Sequence, residues 1–215
     1  MKYPLIILDF DGTIADTQRT IVRTFRMSME SLGLPVRSPE ECAATIGMTL
    51  EVGYRTMFPD LSEDGILECA ATYRRIFEEN KKALTPEMFP GVKETLGALG
   101  SDGHVLTIAS SRHRASIEEF LEGFGVRGLF PYILGAGDVS RSKPDPEPVL
   151  KTLSDLGRDA SEALVVGDMP FDVLMGKRAG TAACGVTYGN SSRADLLASG
   201  ADHVIDSFAE LLPIA

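Results

Sequence analysis

Apolar residues gather in short continuous runs, separated by stretches in which they recur every three or four positions. The first run, Leu5-Ile6-Ile7-Leu8, ends in Asp9-Phe10-Asp11-Gly12. A run without alternation predicts a strand buried on both faces that delivers its last residues to one edge of a sheet. Similar runs at 105–109, 132–134, 163–166 and 182–186 predict four more strands. Helical spacing fills 115–124, 145–156 and 171–179, several of these followed by glycine where a helix ends. Strands alternating with helices predict an α/β fold: a doubly wound parallel sheet, whose ligands sit beyond the carboxyl ends of its strands.

Residues 16–85 break that rhythm. They hold helix-period segments at 20–32, 39–44, 50–57 and 61–83, separated by Gly33, Pro35, Gly47 and Pro59, and no strand pattern. This predicts an all-helical domain, 16–85, inserted after the first strand into a core made of 1–15 and 86–215, with 85–91 as the return linker. Hinges are expected near 15–17 and 85–89, the two ends of the insertion. No internal repeat or low-complexity tract interrupts the pattern.

Composition narrows the function classes. The chain has 215 residues, 44% of them hydrophobic, which suits a globular protein with a sizeable core. Its formal net charge of −10 disfavours nucleic acid and anionic membranes as partners, because both reward Lys/Arg surfaces. The three cysteines, Cys42, Cys69 and Cys184, lie far apart and match neither a disulfide framework nor a zinc site. Only four consecutive apolar residues precede Asp9, and no run approaches the roughly eighteen that span a bilayer, so a cytoplasmic protein is expected.

Two strand ends carry the chemistry. Asp9 and Asp11 stand where Gly12 lets the chain leave the sheet, so both carboxylates can converge on one point. A solvated turn is the plain alternative; a calcium loop is not, because Gly12 stands fourth in the motif and Thr20 occupies the place of the closing glutamate. Gly167-Asp168-Met169-Pro170-Phe171-Asp172 repeats this grammar, although an aspartate there could simply cap a helix. Two such pairs at one sheet edge demand a divalent cation. Lys143, on the Pro-braced loop Ser142-Lys143-Pro144, would help neutralise an anionic substrate there, where a lone loop lysine is otherwise just solvated. Ser110 and Ser111 follow the second core strand and would offer a hydroxyl and backbone N–H groups to a phosphate, or Ser110 a helix cap. His104, His113 and His203 have no spacing for a metal.

These four segments, in this order, resemble the signature motifs of the haloacid dehalogenase superfamily: DxDGT at 9–13, a strand ending in Ser110, Lys143 before Pro144, and GDxxxD at 167–172. The insertion resembles the small helical cap of the subgroup that includes phosphoglycolate phosphatases, β-phosphoglucomutases, phosphonatases and haloacid dehalogenases. The resemblance implies that Asp9 attacks phosphorus to form an aspartyl-phosphate and that Asp11 protonates the leaving oxygen and then activates water. It also implies that Mg²⁺ is held by Asp9, the main-chain carbonyl of Asp11 and Asp168, with Asp172 either a direct ligand or a partner one contact further out, and that Ser110, Ser111 and Lys143 grip the phosphoryl oxygens.

Within the subgroup, Asp11 with an intact GDxxxD favours phosphoryl transfer over dehalogenation, and 38–80 contains no lysine for a phosphonatase Schiff base. Gly47, Met48 and Thr49 resemble the cap loop that meets substrate, whereas Arg23, Arg26 and Arg55 read as solvated helix charges, with binding of a substrate carboxylate as the alternative. The expectation is therefore a Mg²⁺-dependent phosphatase of a small phosphorylated metabolite, most similar to phosphoglycolate phosphatases, acting as a monomer or weak homodimer. The alternatives are a β-phosphoglucomutase-like mutase, a pyrophosphatase and, from another class, a phospho-accepting signalling module.

Overall fold

The computed structural model describes residues 2–81 and 85–215. In chain order, β1 (Leu5–Leu8) and the two-residue β2 (Ala15–Asp16) lead into α1 (Gln18–Ser31), α2 (Pro39–Ala43), α3 (Leu50–Met57) and α4 (Glu63–Asn80). The two-residue β3 (Glu87–Met88), α5 (Val92–Ser101), β4 (Val105–His113), α6 (Arg114–Phe124) and β5 (Tyr132–Ala136) follow. The chain then runs through α7 (Glu147–Leu156), β6 (Ala163–Gly167), α8 (Pro170–Arg178), β7 (Ala182–Val186), α9 (Arg193–Ala198) and β8 (His203–Ile205).

Six strands form one parallel sheet in the order β5-β4-β1-β6-β7-β8. β1 has no exposed residue, and its alternation sorts side chains between two apolar layers. Ile6 and Leu8 pack with Leu96, Ile117 and Leu121 of α5 and α6, while Leu5 and Ile7 pack with Val149, Leu153 and Met175 of α7 and α8. Helices on both faces are what an unalternating apolar run requires. From β1 the chain winds outward through β4 to β5, then returns to β6 on the other side of β1, so the reversal falls at β1. Leu8 stands in register with both Ile108 and Val166, which brings the residues after β1, β4 and β6 to one edge. Ligands bind at such a crevice.

Three features depart from the sequence pattern. β2 pairs antiparallel with β3, so Asp16 and part of the expected return linker form a small ribbon that joins the two ends of the insertion; two residues are too few to show periodicity. β4 runs on to His113, which places Ser110 and Ser111 inside a strand instead of at a loop-to-helix junction. Its pairing with β5 shifts register between Ala109 and His113, a bulge of the kind that re-aims side chains beside a site. Gly135 of β5 makes room for that bulge, since a Cβ there would strike the Arg112 carbonyl and the Arg114 amide. Lastly, α5, α9 and β8 lie where no pattern stood out. The fourth insertion helix ends at Asn80, and positions 82–84 of the expected 61–83 segment lie outside the described residues.

Helices α1–α4 build an apolar core of their own. Phe25 sits 5.1 Å from the Tyr54 ring and 4.7 Å from the Tyr73 ring, with Met29, Ile66 and Cys69 packed around them. Ser38, Thr49 and Ser62 cap the starts of α2, α3 and α4 by accepting from Glu41, Val52 and Gly65. Cys42, Cys69 and Cys184 are all free and buried. Among the described residues no helix is long and apolar enough to cross a membrane.

Candidate active site

Asp9 directly follows β1, and its N–H still donates to the Val166 carbonyl of β6 at 2.9 Å, so the strand ladder holds its side chain at the sheet edge. Asp168 directly follows β6, and Asp172 lies in the first turn of α8. Each of these three buried carboxylates offers an oxygen within 4.8 Å of the others. Lys143 Nζ lies 2.6 Å from Asp9 Oδ1 and 2.5 Å from Asp172 Oδ1. One ammonium among three carboxylates leaves the cluster short of positive charge. Burial, then the negative neighbours Asp172 and Asp168, push Asp9 up to about 8 against the opposing pull of Lys143. Burial and Asp172 push Asp168 up to about 7. Burial pulls the Lys143 ammonium down, but Asp172 and Asp9 outweigh it and hold the group above its ordinary range.

The surroundings hold these acids in place. Asp168 Oδ2 accepts from the Asn190 backbone at 2.9 Å and from its side-chain amide at 2.7 Å, while Thr13 Oγ1 donates to Oδ1 at 3.2 Å. Gly12 turns the chain at φ +82°, and a Cβ there would collide with the Asp168 carboxylate. Asp172 Oδ2 accepts from the Met169 N–H at 3.0 Å, closing the start of α8. Asp172 is thus a helix cap and a member of the cluster at once. Arg178 anchors the lysine loop by donating to the Pro144 carbonyl at 2.8 Å. Among the described residues no hydrogen-bond donor reaches Asp9 Oδ2, although it is buried. A buried carboxylate oxygen without a donor, beside two further carboxylates and no nitrogen or sulfur ligand, suits a small hard cation such as Mg²⁺.

Asp11 lines the same cavity, but its carboxylate stands outside the three-acid group. Arg112 grips it, with Nε 3.1 and 3.0 Å from the two oxygens and Nη2 at 2.7 Å. Only the main-chain carbonyl of Asp11 is therefore left for the metal role that the resemblance implies. The guanidinium is itself stacked among Phe10, Phe77 and Phe120, at 5.9, 5.2 and 5.3 Å. Burial pulls Arg112 down, yet the facing Asp11 raises it above its usual range. Ser111 Oγ donates to the Gly47 carbonyl of the cap loop at 2.6 Å, and Ser110 Oγ accepts from the Arg112 N–H at 3.3 Å.

Cap and core enclose a cavity of about 460 Å³, floored by Asp9, Asp11 and Ser110. Gly47, Met48 and Thr49 line it, as does His113, whereas Arg23, Arg26 and Arg55 do not. A smaller cavity of about 260 Å³ opens beside Lys143 and shares Thr49, Ser110 and Ser111 with the first. Reasoning from sequence overlooked Arg112 and Asn190. Asn190 follows the end of β7, and the rule that ligands sit beyond strand ends could have drawn attention to it.

A family model described as haloacid dehalogenase-like hydrolase matches residues 6–186. The chain is 36% identical over 214 residues to a Dickeya dadantii protein named "Probable phosphatase IndB", covering 99% of this chain and 93% of that one. It is 32% identical to the pyrophosphatase PpaX of Bacillus velezensis, covering 97% and 94%. The phosphoglycolate phosphatase of Aquifex aeolicus is 33% identical, with 82% and 81% covered. Among solved structures, a haloacid dehalogenase-like hydrolase of Bacteroides fragilis superposes with a TM-score of 0.93 at 30% identity, covering 98% of this chain and 100% of that one.

Proposed function

The chain belongs to the haloacid dehalogenase-like hydrolases and is a phosphatase of that family, and from that premise we propose that it hydrolyses small phosphate monoesters through an aspartyl-phosphate formed on Asp9. The observation that carries this reading is the buried Asp9 carboxylate, with Oδ2 free of donors among the described residues, on the floor of the cap–core cavity. Asp9 attacks phosphorus, the bond to the leaving oxygen breaks, and Asp11 supplies the proton that the leaving alcohol takes. In the second half, water gives its proton to Asp11 and its oxygen to phosphorus, which frees phosphate and restores Asp9. Arg112 fixes the position of the Asp11 side chain at the cavity floor for both proton transfers. Lys143, beside Asp9, and Ser110, on the cavity floor, hold the phosphoryl oxygens in this reading, and the ammonium offsets their charge. Mg²⁺ held by Asp9, Asp168, Asp172 and the Asp11 carbonyl would shield the phosphoryl charge and orient it toward Asp9. Residues 16–85 act as a cap over a core of 1–15 and 86–215, excluding water from the closed cavity.

The test is phosphate release from a panel of esters with Mg²⁺ or with a chelator, using the wild type and Asp9→Asn. Release that depends on Mg²⁺ and on Asp9 supports the reading. One phosphate bound per chain without turnover would mark a phospho-accepting signalling module, and an isomerised sugar phosphate a mutase. Pyrophosphate belongs in the panel because the 32%-identical PpaX relatives are named for it.

A further inference from the structure

The cavity's walls speak to the alcohol half of the ester. At about 460 Å³ the space falls within the range of drug-sized ligand sites and far exceeds what a two-carbon acid would fill. Away from the floor, Phe25, Tyr73 and Phe77, with Ile21, Ile46 and Leu50, form an apolar part of its lining, beside polar groups such as Thr45, Glu51 and His113. The three rings form a connected wall, Tyr73 lying 4.7 Å from Phe25 and 6.3 Å, nearly parallel, from Phe77.

The charges around the cavity point the same way, because among the described residues Arg112, Arg74, Lys81 and Lys143 each already have a carboxylate partner. Arg112 is held by Asp11 and Arg74 by Glu51 at 2.6 Å. Lys81 bridges Glu78 and Glu119 at 2.7 and 2.8 Å, and Lys143 lies between Asp9 and Asp172. With Asp168 behind the floor, acids outnumber cations. A second anionic group on the substrate, whether carboxylate or phosphate, would have to displace one of these pairs or face uncompensated carboxylates.

We propose that the leaving group this site takes is an uncharged alcohol bearing a ring, aromatic or heteroaromatic, packed against Phe25, Tyr73 and Phe77. The proposal rests on the phosphomonoesterase reading and assigns its substrate class. Stacking on the ring wall and burial of apolar area favour such an alcohol, and the paired lining disfavours an acidic one.

Three esters separate charge from ring: benzyl phosphate, ethyl phosphate and phosphoglycolate. With Mg²⁺ the expected order of kcat/KM is benzyl, then ethyl, then phosphoglycolate, with about tenfold or more between the first and last. Calorimetric binding of the same three to Asp9→Asn should repeat the order without turnover. Met48→Arg, which adds a cation to the wall, should narrow the ratio or reverse it. Phosphoglycolate equal to or better than benzyl phosphate in both assays would overturn the proposal, even with ester hydrolysis intact. Absence of turnover on every ester would overturn the phosphatase reading instead, with the binding order still deciding the ring preference.

Discussion

The floor and the roof of the cavity follow opposite rules. The floor and the layer behind it are built from charged groups near strand ends: Asp9 after β1, Asp168 after β6 and Lys143 on its loop, all buried, and the half-buried Arg112 at the end of β4, with Lys143 tied to Asp9 and Arg112 to Asp11. The roof is a helical bundle held by rings and aliphatic side chains, with each described helix start after α1 capped by its own Ser or Thr. Polar links between the two are sparse and local: Ser111 to Gly47, Lys81 to Glu119 and Gln18 to Asn190 at 3.0 Å. The floor therefore carries unresolved electrostatic cost that a cation and a phosphoryl group relieve, while the roof is complete as it stands. Changes to the floor should alter chemistry and the response to pH and ions; changes to the roof should alter stability and substrate affinity alone.

The largest effect expected is that of Asp9→Asn. It should lower turnover by about a thousandfold or more, roughly 4 kcal/mol in the barrier, measured as phosphate release. Because it removes one of three crowded carboxylates, its melting temperature at pH 8 without Mg²⁺ should equal or exceed that of the wild type. Next, Lys143→Met leaves Asp9 and Asp172 facing each other without their shared cation, and should cost about 3–5 kcal/mol of stability in urea at pH 8. In the roof, Tyr54→Phe removes the hydroxyl that bonds Ser28 in the cap core. The expected loss is about 1 kcal/mol, the same at pH 6 and pH 8 and insensitive to Mg²⁺. Smallest is Ser111→Ala, which cuts the link to Gly47 and should raise KM about fivefold while kcat changes little. A pH- or Mg²⁺-dependent cost for Tyr54→Phe would break the separation of floor from roof.

The same contrast explains what could be read from the chain. β1, β6 and β7 are continuous apolar runs with a single structural solution, so their ends, and with them Asp9 and Asp168, could be placed from pattern alone. Lys143 was legible through its Pro-braced loop, and Asp172 through its place in the first turn of α8. Arg112 was not, because its role depends on a bulge in β4 and on rings brought from α4 and α6, far apart in the chain. Asn190 likewise matters only because β7 ends beside β6. The β2–β3 ribbon is too short to register as periodicity, and β8 is a three-residue edge strand with a half-polar pattern. What escaped the sequence is what tertiary contact creates.

The central claim is that Asp9, Asp168 and Asp172 hold a divalent cation that relieves their mutual repulsion. Both Asp9 and Asp168 titrate higher in the folded protein than in the unfolded chain, so the folded state binds more protons. Without a cation, stability should fall as pH rises from about 4 towards about 8, where the cost of ionising the cluster is fully present. The direct test is the melting temperature with Mg²⁺ against chelator, at pH 6 and pH 8, for the wild type and Asp168→Asn. The account predicts a Mg²⁺-dependent rise that is larger at pH 8 than at pH 6 and mostly lost in the variant. A melting temperature indifferent to Mg²⁺ at pH 8, or an equal rise in Asp168→Asn, would contradict it.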